Sequence, residues 1–253
     1  MATSVERRRP EPDSGEGAPL PDGDQSVDRP DGAQNRAEAA VRMVKPRLRG
    51  WLHAAITPLA CAAGIVLICL APTTYGKVGG AVFLAAALML FGTSALFHRF
   101  NWGVTGIGIL RRLDHSNIYL FIAASYTPFA LCLLSGHSQA LLLTLIWGAA
   151  VLGLLFRTFW LSAPRWLYTA LYVVVGCSPI GWMPQFAAHG GPAAFTLILI
   201  GGGLYVVGAL VYAFKWPDPS PRWFGFHEVF HSCTIGAFVS HYIAISLVTY
   251  AAA

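Results

Sequence analysis

Beyond residue 50 the polar positions come singly or in short breaks. Between them lie apolar runs long enough to cross a hydrocarbon layer of about 30 Å, which takes roughly 20 helical residues. Seven such runs stand out, at residues 51–70, 78–97, 113–134, 140–160, 167–183, 193–214 and 224–250. The pattern predicts an all-α, polytopic membrane protein: a bundle of seven transmembrane helices. Pro58, Pro128 and Pro179 fall inside these runs, where kinks are tolerated if neighbouring groups satisfy the freed carbonyl. Three consecutive glycines at 201–203 permit close helix contact.

Composition agrees, with 55% hydrophobic and only 11% charged residues against about 25% charged in soluble domains. The charge is divided between two regions. Residues 1–44 hold nine of the twelve acids and six arginines, a net −3, while the remainder carries eleven Lys and Arg against three acids, a net +8. Rich in Pro, Gly, Asp, Glu and Arg, residues 1–44 bury too little surface to offset chain entropy and are expected to form a disordered cytoplasmic tail; residues 45–253 form the membrane domain. No apolar stretch follows Arg7, Arg8 and Arg9, so the first membrane helix is expected to act as the targeting signal. Lys and Arg near the helix ends then set the orientation. With the tail inside, ten of them gather on one side and only Lys77 on the other, which predicts a cytoplasmic amino terminus and an external carboxyl terminus in the cell membrane. These cations sit singly or in pairs and form no stripe, which argues against nucleic-acid binding. The five cysteines lack CxxC spacing and read as small apolar residues, neither a disulfide framework nor a thiolate metal site.

Ionisable residues at membrane depth are rare and mark function. The last run begins FGFHEVFH, and His227 and His231, four apart, share one helix face about a turn from each other. Ser94 and His98 have the same spacing at the end of the second run, and Asp114 follows at the mouth of the third. All lie toward the cytoplasmic face in the predicted topology. A carboxylate at such a place is costly without a partner, and a metal ion supplies one. Three neutral imidazoles with water in the fourth position make an open tetrahedral zinc site. In that arrangement His98, His227 and His231 are the ligands, Asp114 orients the water and takes its proton, and Ser94 supports the carbonyl or a ligand.

These residues carry a resemblance. Ser94-x3-His98, Asp114 sixteen residues on, His227-x3-His231 in the seventh run and the topology resemble the hemolysin III branch of the progestin and adipoQ receptor (PAQR) family. LRRLDHSNIYLFIAASYTP and GFHEVFH are the most similar segments, and coverage is roughly residues 45–250. The wider superfamily includes alkaline ceramidases. The resemblance implies a zinc site built from the corresponding Ser, Asp and three His, membrane lipids as partners and hydrolysis of a lipid amide as the activity. One element departs from the family. The eukaryotic receptors carry E-x2-N-x3-H before the first helix, whereas here Pro46 and Arg49 stand beside His53.

Two rival readings follow from the same residues. HEVFH is literally H-E-x-x-H, in which Glu228 would be the general base of an intramembrane zinc metalloprotease; the residue after the first His is not acidic in the adiponectin receptors, so the zinc set does not need it. A non-enzymatic receptor or cytolytic protein with structural zinc is the other rival. His241, ten residues past His231 and some 280° around the helix, is expected to point away from the pair. His115 is expected to be a partner of Asp114 or an interface residue, and His53, near the inner end of the first helix, to contribute to the site by packing.

Overall fold

Backbone in hydrocarbon has to satisfy its own N–H and C=O groups, and the apolar runs do so as helices. The computed structural model describes residues 46–252; the tail expected over residues 1–44 lies outside them. In order come α1 (Trp51–Leu70), α2 (Thr74–Arg99), α3 (Val104–Leu133), α4 (Gly136–Phe159), α5 (Arg165–Cys177), a 3-10 helix (Ser178–Trp182), α6 (Met183–Phe214) and α7 (Phe226–Ala251). Among the described residues there is no strand, only an isolated bridge between Ser220 and Phe224. The protein is all-α as expected. Among the described residues six stretches are long and apolar enough to cross a membrane: α1, α2, α3, α4, the continuous stretch Arg165–Phe214, and α7. The five cysteines are free.

Three boundaries differ from expectation, for physical reasons. α2 begins at Thr74 because the Thr73 hydroxyl accepts the Gly76 N–H at 3.1 Å, an N-cap. α3 begins at Val104, well before residue 113, so Asp114 lies about three turns inside the helix and not at its mouth. The arginines that end the apolar run also stabilise the extension: Arg112 donates to the Gly108 carbonyl at 3.1 Å and to the Thr158 carbonyl at the end of α4 at 3.3 Å. Finally, residues 183–190, which fall at and beyond the end of the run predicted over 167–183, are helical. They break from the rest of α6 at Gly191, whose φ of 74° is followed by Pro192. Gln185 accepts from Ser138 at 2.8 Å, and His189 donates to the Leu133 carbonyl at 2.8 Å, fastening this short helix to α3 and α4.

α3 is the central helix: 72% of its most apolar window is buried, against 17% for α4 on the periphery. α2 packs on α1 and α3, α4 on α3, and α6 along α7. Close packing relies on glycine, since a Cβ at Gly79 would lie 2.8 Å from the Pro128 Cα. Phe83, Phe91, Phe121 and Phe238 bring α2, α3 and α7 together, with Phe83 stacked on Phe238 at 5.4 Å and Phe91 edge-on to Phe238 at 5.2 Å. Such pairs add about 0.5–1.5 kcal/mol beyond area burial. This aromatic layer floors the polar cluster described next.

Candidate metal centre

α2 ends on Ser94 and His98, and α7 begins with His227 and His231; α7 takes this start because its amino end is capped twice. Asp218 accepts the Phe226 N–H at 2.8 Å, and Glu228 reaches back to accept the Gly225 N–H at 2.9 Å, as acidic first-turn residues do at helix starts. The two helix ends bring three imidazoles together. One ring nitrogen from each of His98, His227 and His231 falls in a set within 4.8 Å of one another. His227 Nε2 and His98 Nε2 are 3.2 Å apart, close to the roughly 3.4 Å that separates two nitrogens on a tetrahedral zinc with bonds of about 2.1 Å. His98 is 8% and His231 2% exposed. Buried imidazoles this close, with His231 Nδ1 unpartnered, fit a borderline-soft divalent ion.

Asp114 stands beside this set without joining it. Its Oδ2 lies 3.8 Å from His98 Nε2 and 3.9 Å from His115 Nδ1, beyond direct hydrogen bonding, and the Ser94 side chain stands next to the carboxylate. Neither Arg111 nor Arg112 is among its ion-pair partners in the described residues. All five residues nominated from the sequence therefore gather at one place. His115 is held otherwise: Nδ1 donates to the Arg111 carbonyl at 2.8 Å, which leaves Nε2 to accept from the Tyr212 hydroxyl at 3.5 Å.

A cavity of about 320 Å³ opens from the cluster, lined by Ser94, Asp114, His227 and His231 at one end and by apolar side chains such as Leu90, Ile118 and Phe121 beyond. Its lining includes Cys177, Ile180, Leu199 and Gly203 of α5, the 3-10 helix and α6, all of them exposed. His241 also lines it, buried on α7, its Nε2 donating to the Ile198 carbonyl at 3.3 Å, so it shares the cavity with His227 and His231 although its helical phase differs from theirs.

Two residues carry more than their sequence position suggested. His53 stacks on His231, ring centroids 3.7 Å apart and planes 14° from parallel, and neither of its ring nitrogens has a partner. Arg49 donates to Glu228 at 2.9 Å across 179 positions. Helical spacing offered no signal for Arg49, which precedes α1 and is separated from His53 by the left-handed Gly50. Glu228 itself is fully buried with both oxygens engaged, by Arg49 and by Gly225, and does not line the cavity.

A helical bundle of this kind, with imidazoles, a carboxylate and a hydroxyl converging beside an apolar cavity, is a multi-pass integral membrane protein with a candidate intramembrane metal centre. The chain matches the Haemolysin-III related family over residues 41–242 and belongs to it, as a protein of the cell membrane. It is 32% identical to the Hemolysin-3 homolog of Bacillus subtilis over 186 residues, 72% of this chain and 84% of that protein. Against Hemolysin-3 of Bacillus cereus it is 37% identical over 103 residues, 41% of this chain and 47% of that one. The similarity extends to the PAQR superfamily: identity to the Progestin and adipoQ receptor-like protein 1 of Caenorhabditis elegans is 28% over 196 residues, 69% of this chain and 44% of that longer protein.

Proposed function

We propose that the protein is a zinc-dependent hydrolase of a lipid amide, acting inside the bundle. The observation that carries this reading is the convergence of His98, His227 and His231 with Asp114 and Ser94 at the polar end of an otherwise apolar cavity. Zinc held there supplies a Lewis acid for a carbonyl and lowers the pKa of a bound water to about 7.

The chain's own residues divide the remaining work. Asp114, near His98 and His115, accepts a proton released beside the imidazoles and returns it to the leaving amine. Ser94 fixes the carboxylate's orientation. Leu90, Ile118 and Phe121 hold an acyl chain and exclude water from the reacting end, and the exposed lining between α5 and α6 lets that chain enter sideways from lipid. A peptide would carry polar backbone into this apolar space at several kcal/mol per unsatisfied group, so a lipid suits it better. The protease reading also loses its base, because both Glu228 oxygens are occupied away from the cavity.

The topology belongs to the same proposal. Residues 165–182 rise about 20 Å as α-helix and about 10 Å as 3-10 helix, enough for one crossing, and α6 makes the next beyond the break at Gly191. The bundle then crosses seven times, with its amino terminus and the arginine-rich metal end on the cytoplasmic side.

The test is zinc content together with hydrolysis of a panel of ceramides and N-acyl lipids by the purified protein. About one zinc per chain, lost in His98→Ala, and hydrolysis abolished in Asp114→Asn with zinc retained, support the reading. Zinc well below one per chain sinks it. So does red-cell lysis that persists after metal removal with no lipid hydrolysed; that result returns the protein to the cytolysis named in its Bacillus relatives.

A further inference from the structure

The stretch 46–53 has no task in the mechanism, yet it touches the surroundings of every candidate ligand. Gly50 abuts His98: a Cβ there would lie 2.7 Å from the His98 Cβ and 3.2 Å from its backbone carbon. Arg49 pairs at 2.9 Å with Glu228, the residue after His227. His53 lies flat on His231 at 3.7 Å, with the Phe91 ring tilted against it at 5.1 Å. The stretch is itself anchored to the loop before α7. Arg47 N–H donates to the Arg222 carbonyl at 3.0 Å and Leu48 N–H to the Trp223 carbonyl at 3.3 Å, while the Arg47 guanidinium sits 4.6 Å over the Trp223 ring.

We infer that residues 46–53 form a clamp that sets the spacing between the imidazole of α2 and the two of α7, with Arg49 and His53 as positioning residues. The inference rests on the metal-centre reading above. α2 and α7 meet along only a short contact, whereas α1 packs against both, so the separation of His98 from His227 and His231 needs a third element to define it. Glu228 supplies the fixed point on α7. Its carboxylate is fully buried, and a buried charge whose partner is removed is strongly unfavourable, so Arg49 is held in one place and α7 with it. His53 supplies the second. With both nitrogens unpartnered, its role toward the ligands is that of a flat spacer: stacked on His231 and in contact with Phe91, it limits the tilt of the ligand ring. Contacts that orient ligands from behind change metal affinity by about 10–100-fold when lost. This also gives the acid of HEVFH a purpose that involves no proton transfer to a substrate.

The experiment uses the full chain in detergent, loaded with zinc, and reads three quantities: zinc per chain, the rate of zinc release to a chelator in excess, and the thermal midpoint. Arg49→Met with Glu228→Gln removes both charges while the glutamine still accepts the Gly225 N–H. His53→Phe keeps a flat ring, and His53→Ala removes it. His98→Ala reports on the centre itself. The clamp predicts a double variant that melts near the wild type yet releases zinc about tenfold faster or more, His53→Ala releasing comparably fast, and His53→Phe close to wild type. A double variant and a His53→Ala variant that both release zinc at the wild-type rate overturn the clamp while leaving the metal centre standing. Should the double variant fail to fold, the two His53 variants decide on their own. A wild-type chain that takes up no more zinc than His98→Ala refutes the metal centre, and the clamp with it.

Discussion

Replacing Gly50 by alanine tests the packing of the site at the point where it is tightest. Gly50 precedes α1 with φ 81° and ψ −12°, a left-handed conformation that costs an L-residue roughly 1–2 kcal/mol. The added methyl would also lie 2.7 Å from the His98 Cβ, with the Arg99 side chain and the His98 backbone each 3.2 Å away. The nearest of these atoms are stem and backbone, not the far end of a flexible side chain, so α1 and α2 have to separate. Overpacking of this kind costs about 1–3 kcal/mol. Together the two effects amount to about 2–5 kcal/mol, a fall in melting temperature of roughly 5–15 °C for a domain of this size. His98 moves with its backbone, so zinc retention falls as well. The assay is thermal unfolding in detergent followed by tryptophan fluorescence, with zinc per chain measured on the same sample. Gly148→Ala is the comparison: Gly148 is helical, exposed on α4, with nothing within 4 Å of a Cβ, and alanine there should be neutral or stabilising by up to about 1 kcal/mol. A Gly50→Ala protein that melts and holds zinc like the wild type refutes the reasoning.

Gly201→Ala drives a methyl into the His241 imidazole, whereas Gly203→Ala on the same helix meets open space; the first should lose about 1–3 kcal/mol of stability by thermal unfolding and the second little. Zinc retention should be complete at neutral pH and be lost only on acidification below the ordinary imidazole range of about 6.5, because only neutral imidazole binds metal and protons have to displace the ion. Equilibrium dialysis across that range checks the sign, and retention that rises on acidification excludes imidazole ligation. Glu228→Gln, with zinc in excess, should preserve lipid hydrolysis and lower stability only modestly, since the Arg49 it leaves unpaired is partly solvent-exposed; abolished hydrolysis in a folded, zinc-loaded protein would restore Glu228 as a base.

Hydropathy located the helices because a membrane span has to be apolar, but it measures the hydrocarbon-embedded part and not the helix. Residues 104–112 are helical although Arg111 and Arg112 end the apolar run, and residues 183–190 are helical although Gln185 and His189 interrupt it. In both places hydrogen bonds to neighbouring helices carry the extension, from Arg112 to Thr158, between Ser138 and Gln185, and from His189 to Leu133. None of those pairings is encoded in periodicity.

The site shows the same division. Spacing alone put Ser94 on the face of His98 and His227 on the face of His231, and the cost of a lone carboxylate at depth singled out Asp114. A chain of local periodicities says nothing about which residue meets Glu228, whose partner lies 179 positions away. H-E-x-x-H therefore has two meanings that the string cannot separate. On a helix the residue after a ligand sits about 100° away from the ligand face, so whether its carboxylate swings toward the metal or backward depends on what the neighbouring chain offers. Here Arg49 and the Gly225 N–H hold it backward. The carboxylate left near the imidazoles is then that of Asp114 on α3, 3.8 Å from His98. That geometry favours an acid–base group from the central helix over one from the ligand helix.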